Sequence, residues 1–381
     1  MSAVFFDHNS TTALKTEVLK AMLPFMTEQH GNATSRHTFG RTARAAIEQA
    51  REQVAIAVNA HPSQVIFTAS GTEANNFAIR GMASELNSGQ ILTSTVEHPC
   101  VSSPALTLVS PTLQVNSIKV DANCGLDLNH FRKLLEVPTQ LVSVMLANNE
   151  TGAIQDIAAI SEMTRIYKAF MHTDAVQGLG KILVDFEALN VHAMTISSHK
   201  IGGPLGAGAL VLDKRIDIMP LLYGGGQEKG LRSGTENISA IVGFGVACEL
   251  TVKNIGQFAQ HTQTLRNYLE TGLRKLNAHL FANTANRLPN TSFFAFEHID
   301  GETLVMALDR KGFAVASGSA CSSDNGQPSH VLLAMGVDED LARSAIRVSF
   351  AMNNTIAEVQ QFLKVLENEL ARLRNLTAMA A

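Results

Sequence analysis

The sequence predicts an α/β fold: a large domain with a mostly parallel sheet flanked by helices, plus a smaller α+β C-terminal domain. Three observations point to it. Short runs of buried-strand type alternate with longer amphipathic segments through most of the chain. Nearly every run ends in small or polar residues before the next helical pattern, the strand–tip–helix rhythm of βα units in a parallel sheet. After about residue 250 that rhythm gives way to a long amphipathic helix, two short strands and a terminal helix.

In chain order, 40–60 is read as a helix because Ile47, Ala50, Val54 and Val58 recur at helical spacing, and His61-Pro62 stops it. Strands are expected over 64–70, 90–98, 140–150, 170–177 and 193–200, with a helix over 156–170 among them. Beyond the change of character, 265–281 reads as a helix and 287–296 and 313–320 as strands. Residues 355–375 read as a final helix that Thr355 and Glu358 cap reciprocally. The expected division is 15–255 for the large domain, with 1–14 and 256–381 forming the small one.

The chain has 381 residues, 45% of them hydrophobic, and a formal net charge of −4. That balance gives no reason to expect nucleic acid or an anionic membrane as partner. No apolar run approaches the ~20 residues of a membrane span, and "MSAVFFDHNSTT" lacks the basic and apolar regions of a signal peptide. The four cysteines, Cys100, Cys124, Cys248 and Cys321, form no C-x-x-C pair, so a metal site is not expected. Free thiols in a cytoplasmic protein are the simplest reading.

Ligands of parallel sheets bind beyond the carboxyl ends of the strands, so the polar tips are where chemistry is sought. In "ISSHKIGGPLGAGAL" (196–210) Lys200 follows a buried run directly. It suits a solvated loop, but also a Schiff-base amine, with Ser197 and His199 beside it as phosphate donors. Asp174 in "HTDAVQG" (172–178) is either a helix cap or a carboxylate facing a cationic ring nitrogen. In "TASGTEANNFAIRG" (68–81) the free amides of Gly71, Thr72 and Glu73 at a helix start make an anion cradle, a weak signal alone. His98 in "STVEHPC" (94–100) is a structural histidine, or one that lies against an aromatic cofactor or shuttles protons. Together these tips supply the set that pyridoxal phosphate requires.

With these motifs, "HGNATSRH" (30–37), "NNETGAIQD" (148–156), "GGGQEKGLRSGTEN" (224–237), "SGSAC" (317–321) and "SAIRVSF" (344–350), the chain resembles nearly end to end the NifS/IscS cysteine desulfurases. These belong to the class V aminotransferase group. The resemblance implies a fold type I pyridoxal 5′-phosphate enzyme acting as a homodimer on L-cysteine. Lys200 would carry the cofactor, Asp174 would pair with its ring nitrogen, Gln177 would bond its phenolic oxygen, and His98 would stack on the ring. Gly71, Thr72, Ser197 and His199 would hold the phosphate, with Thr235 reaching in from a second subunit. Asn149 and Arg347 would bind the substrate carboxylate, Asn149 also touching the cofactor, and Cys321 would be the nucleophile that takes the sulfur as a persulfide and delivers it to an acceptor protein.

A selenocysteine lyase or another class V enzyme would need the same cofactor and Lys200 but not strictly Cys321. A non-enzymatic docking scaffold would not need the set at all. Two departures stand out: Ser198 where relatives have glycine, and Cys100 where a small apolar residue is expected. The mobile-looking composition around Cys321, with Gly318, Asn325 and Gly326, suits a thiol that must both reach the cofactor and meet an acceptor.

Overall fold

The computed structural model describes residues 3–83, 88–318 and 327–380. The strands among them are β1 (Val4–Phe5), β2 (Val65–Thr68), β3 (Gly89–Ser94), β4 (Leu113–Ile118), β5 (Thr139–Ser143), β6 (Phe170–Asp174) and β7 (Ala193–Ser197). There follow β8 (Gly208–Leu212), β9 (His279–Leu280), β10 (Thr291–Ala295), β11 (Phe313–Ala314), β12 (Ala316–Ser317) and β13 (Ala345–Ser349). Seven of them form one sheet in the order β2-β8-β7-β6-β5-β3-β4. Only β8 runs against its neighbours; the other pairs are parallel. Helices cover the sheet, so β2, β5, β6, β7 and β8 are buried almost throughout and read as continuous apolar runs.

Register brings the tips together. Thr68 and Ser197 both pair with Gly208, and Asp174 pairs with Thr195. A Cβ on Gly208 would lie 2.5 Å from the Ser70 carbonyl carbon, so glycine there lets the turn into the Gly71–Ala83 helix sit directly against the sheet.

A second, four-stranded antiparallel sheet has the order β12-β13-β10-β9. Its own core gathers Phe294, Phe296, Ile346 and Val348 with Leu269 and Phe362 from two covering helices. The chain's start belongs here: β1 pairs with β11, Phe6 enters this core, and Asp7 bridges to Ser349. The reciprocal cap at Thr355 forms, with Glu358 Oε2 accepting the Thr355 amide at 2.7 Å and Thr355 Oγ1 accepting the Glu358 amide at 3.2 Å.

Helix Ile238–Lys275 departs from the sequence reading. It is continuous over 38 residues and runs through the expected division at 255/256. Phe244, Ala247 and Cys248 pack in the large core, and Leu265, Leu269 and Leu273 in the small one. By length and composition it could cross a membrane, but this apolar face is spent on the two cores.

Candidate active site

Five strand ends converge on a cavity of about 250 Å³ lined by Gly71, Thr72, His98, Asn149, Asp174, Gln177, Ser197, His199 and Lys200, with Ser70, Met145 and Val176. Nine of the expected residues are thus brought together. Thr235 is not: it lies exposed on the segment before helix Ile238–Lys275, away from this chain's cavity. Arg347 is not among the lining residues either. Cys321 lies outside the described residues.

The anion cradle begins at the Gly71–Ala83 helix. Ser70 Oγ accepts the Glu73 amide at 3.0 Å, leaving the Gly71 and Thr72 amides in the unpaired first turn. Facing them, Ser197 Oγ is buried without a hydrogen-bond partner among the described residues. A buried hydroxyl left unpaired beside free amides is costly unless an acceptor group enters the cavity.

Asp174, at the end of β6, is 6% exposed. Its oxygens accept from the Val176 amide at 2.9 Å and Asn75 Nδ2 at 2.7 Å, and among the described residues no cation lies within ion-pair range. Burial pushes its carboxyl up, the Val176 and Asn75 bonds pulling the other way. A cation entering the cavity would offset that burial. Asn75 escaped the sequence reading, although it sits one helical turn beyond Gly71 and therefore on the same face.

His98 caps the following helix, its Nδ1 accepting the Cys100 amide at 3.1 Å, with Cys100 Sγ 2.9 Å away. Nδ1 as acceptor leaves the proton of the neutral ring on Nε2. Burial lowers the imidazole pKa, so the ring is neutral at physiological pH. Cys100 Sγ also accepts from Asn75 Nδ2 at 3.0 Å, and burial pushes its thiol up to about 12, aided by Asp174. Cys100 is therefore a protonated thiol linking Asn75 to His98.

Lys200 Nζ donates to the Asn9 and Ser10 carbonyls at 2.7 and 2.6 Å. His199 is held through Thr11 and Thr12, and burial and Lys200 lower its pKa to about 4. Ser198 is fully buried, its hydroxyl without a partner among the described residues, and a Cβ on Gly203 would collide with it. The glycine at 203 makes room for the serine at 198. Arg347, on β13, donates to the Asn149 carbonyl at 2.9 Å and pairs with Asp7 at 2.6 Å, while its buried Nε has no partner among the described residues. It thus stands behind Asn149, one residue removed from the cavity.

The class V aminotransferase profile (Aminotransferase class-V) matches residues 4–362. The chain is 40% identical over 378 residues to cysteine desulfurase IscS of Dictyoglomus turgidum, covering 98% of this chain and 96% of that protein. The chain belongs to the cysteine desulfurase branch of the class V aminotransferases. With cysteine desulfurase NifS of Azotobacter vinelandii it shares 38% identity over 385 residues, 99% of this chain and 95% of the relative. Among solved structures, a NifS-like protein superposes with a TM-score of 0.91 at 38% identity, covering 97% of this chain and 99% of that one. The fold is therefore that of the NifS-like enzymes, the mostly parallel sheet with flanking helices that the strand–tip–helix rhythm predicts.

Proposed function

We propose that this chain is a pyridoxal phosphate-dependent cysteine desulfurase that converts L-cysteine to L-alanine and leaves the sulfur as a persulfide on Cys321 for transfer to an acceptor protein. The observation that carries the reading is the cavity's pairing of unsatisfied groups. Among the described residues, a buried Ser197 hydroxyl without a partner faces the Gly71 and Thr72 amides, and the buried Asp174 carboxylate makes no ion pair. These fit a ligand that is anionic at one end and cationic on its ring.

Pyridoxal phosphate, when bound, supplies an electron sink for the bonds at the substrate's Cα. The protein's share is positioning and proton handling. Ser197, His199 and the Gly71 and Thr72 amides hold the phosphate, and Asp174 keeps the ring nitrogen protonated. Lys200 Nζ holds the cofactor and moves the proton at Cα. His98, neutral with its proton on Nε2, would cover the ring and offer that N–H as a hydrogen-bond donor. Asn149 and, behind it, Arg347 orient the substrate carboxylate; Arg347 takes it up by exchanging one of its present acceptors. In net terms the substrate's Cβ–S bond breaks, an S–S bond to Cys321 forms, and the thiol proton displaced from Cys321 balances the hydrogen gained at Cβ.

The similarity also supports a homodimer in which Thr235 completes the partner's phosphate site. Cys100, Cys124 and Cys248 are unpaired, which suits the reducing cytoplasm. The test is stoichiometric. Purified protein loaded with pyridoxal phosphate is expected to form one alanine per sulfur released from cysteine, and Cys321→Ala to abolish persulfide formation. Sulfur release that survives in Cys321→Ala refutes the nucleophile assignment. Amino-group transfer to a keto acid, with no alanine formed, decides for an aminotransferase.

A further inference from the structure

We infer that Lys181 is a positioning residue: its amine holds the side-chain carbonyl of Gln177 and so turns the Gln177 amide nitrogen toward the cofactor ring. The inference deepens the pyridoxal phosphate reading of this cavity and rests on it.

"DAVQGLGK" (174–181) leaves β6 and folds back on itself. A Cβ on Gly178 would lie 2.7 Å from Leu146 Cδ2, and one on Gly180, where φ is +81°, 2.7 Å from Ile201 Cγ2. Glycine at both positions permits the close turn, closed by the Lys181 amide donating to the Gly178 carbonyl at 3.0 Å. Lys181 arrives 3% exposed, with Nζ 2.5 Å from Gln177 Oε1 and 2.7 Å from Asn9 Oδ1.

An amide side chain has one accepting oxygen and two N–H donors. With Oε1 taken by Lys181, a flipped Gln177 would lose that bond and set its oxygen against the Asn9 carbonyl oxygen, so the orientation is fixed. One Nε2 hydrogen goes to the Asn9 carbonyl at 2.9 Å. The other is left for an acceptor in the cavity that Gln177 lines.

Lys181 is also unusual in what surrounds it. Among the described residues it makes no ion pair, and both its acceptors are neutral carbonyl oxygens. The charged groups facing it are cationic: Lys200 from the tip of β7 and Arg347 from β13, whose carboxylate partner is Asp7; His8 approaches from the N-terminal segment, its own ring neutral through burial. An uncharged amine has two hydrogens for those two acceptors and escapes the repulsion, and burial moves its pKa in that direction, well below the ordinary lysine value. A neutral lysine spends no desolvation energy on a buried charge and still fixes Gln177 and Asn9.

Pyridoxal 5′-phosphate is titrated into the apo forms of wild type, Lys181→Met, Gln177→Ala and the double variant. The readouts are the dissociation constant and the pH midpoint of the bound cofactor's visible band. Lys181→Met is expected to move the midpoint in the same direction as Gln177→Ala and to weaken binding about three- to tenfold, the worth of one neutral hydrogen bond. The double variant is expected to be no worse than Gln177→Ala alone. A midpoint unchanged in Lys181→Met, or two effects that add in full, overturns the inference. In wild-type apoprotein labelled with ¹³C-lysine, the Lys181 Cε signal is expected to titrate below the ordinary ~10.4. A normal titration overturns the account of an uncharged Lys181 without any variant having to fold, and leaves the Gln177 inference to the variants. Failure of the cofactor reading looks different: no protein, wild type included, would show the visible band.

Discussion

Replacing Glu228 by alanine is expected to destabilise the chain by about 4 kcal/mol, because Glu228 and Arg51 form a buried pair with few other partners. Glu228 accepts from Arg51 Nη1 and Nη2 at 2.8 and 2.6 Å and from the Phe67 amide at 2.8 Å. The two side chains are only 4% and 7% exposed. Without the carboxylate, Arg51 retains the Val65 carbonyl at 2.9 Å and the exposed Glu48 at 3.2 Å, which places the loss near the low end of the roughly 3–5 kcal/mol for an orphaned buried charge. The unpaired Phe67 amide adds about 1 kcal/mol. At an unfolding entropy near ~2.1 cal/mol/K per residue, about 4 kcal/mol over the whole chain lowers Tm by about 5 °C. Thermal and urea denaturation of Glu228→Ala, Arg51→Met and the apolar double variant Arg51→Met/Glu228→Leu measure it. The double variant is expected to recover most of the loss, since nothing charged remains buried. A Glu228→Ala loss below about 1 kcal/mol would refute the premise that this pair is dry. The pair also anchors the segment leading to Thr235: Glu228 and Lys229 hold positive φ of 45° and 62°, and Gln227 Oε1 accepts the Gly234 amide at 3.0 Å. Loosening it is therefore expected to weaken cofactor retention as well.

Cys100, protonated up to about 12, is expected to resist iodoacetamide at pH 7 in peptide mapping; rapid alkylation there would refute the linking-thiol geometry. His8 and His172 have pKa values lowered by burial to about 4 and about 3, so the unfolded chain binds more protons below the ordinary histidine value. Their stabilisation is full above about 6.5 and lost as pH falls toward 4 and 3. The urea midpoint should drop across that window, and a flat profile would refute it. Glu97 behaves oppositely: burial raises its carboxyl to about 8, so its contribution is present below about 4.5 and lost as pH rises through 8. Its Oε2 is buried without a partner among the described residues, while Ser94 and the Met145 amide donate to Oε1. Glu97→Gln is expected to flatten the alkaline limb of the stability profile, and an unchanged limb would show that Glu97 ionises normally.

The strand tips were legible because each buried run ends in a cluster of polar residues, His172-Thr173-Asp174 in one and Ser197-Ser198-His199-Lys200 in another. In the seven-stranded sheet two strands were not, and outside it β1, β9 and β13 were not either, β9 lying within the helix expected over 265–281, which ends at Lys275. β4 alternates exposed and buried positions at the sheet edge, and β8 follows a glycine-rich turn that reads as loop. Residues 238–264 of helix Ile238–Lys275 were not read as helix for a related reason. Gly243 and Gly245 lower local helix propensity, and only the fold shows why they are there. A Cβ on Gly243 would meet Met22 Sδ at 2.7 Å, and one on Gly245 would meet Gln53 Oε1 at 2.4 Å, so both glycines serve close helix packing.

What no local pattern could reveal is Asn9. Its side chain and backbone bond to Asn149, Lys181, Gln177, Lys200, Asn290, Thr291 and Ser349, partners 140 to 340 positions away. Polar residues near the start of a chain carry no periodicity and announce no partner, so sequence reasoning passed over it. Yet it ties the tips of β6 and β7, which carry the proposed cofactor residues Asp174 and Lys200, to β10 and to β13, the strand of Arg347. The two sides of the cavity, proposed for cofactor and for substrate carboxylate, thus share one asparagine. A displacement of either sheet must be registered at Lys200 and Gln177 through it, because both donate to the same Asn9 carbonyl, at 2.7 and 2.9 Å.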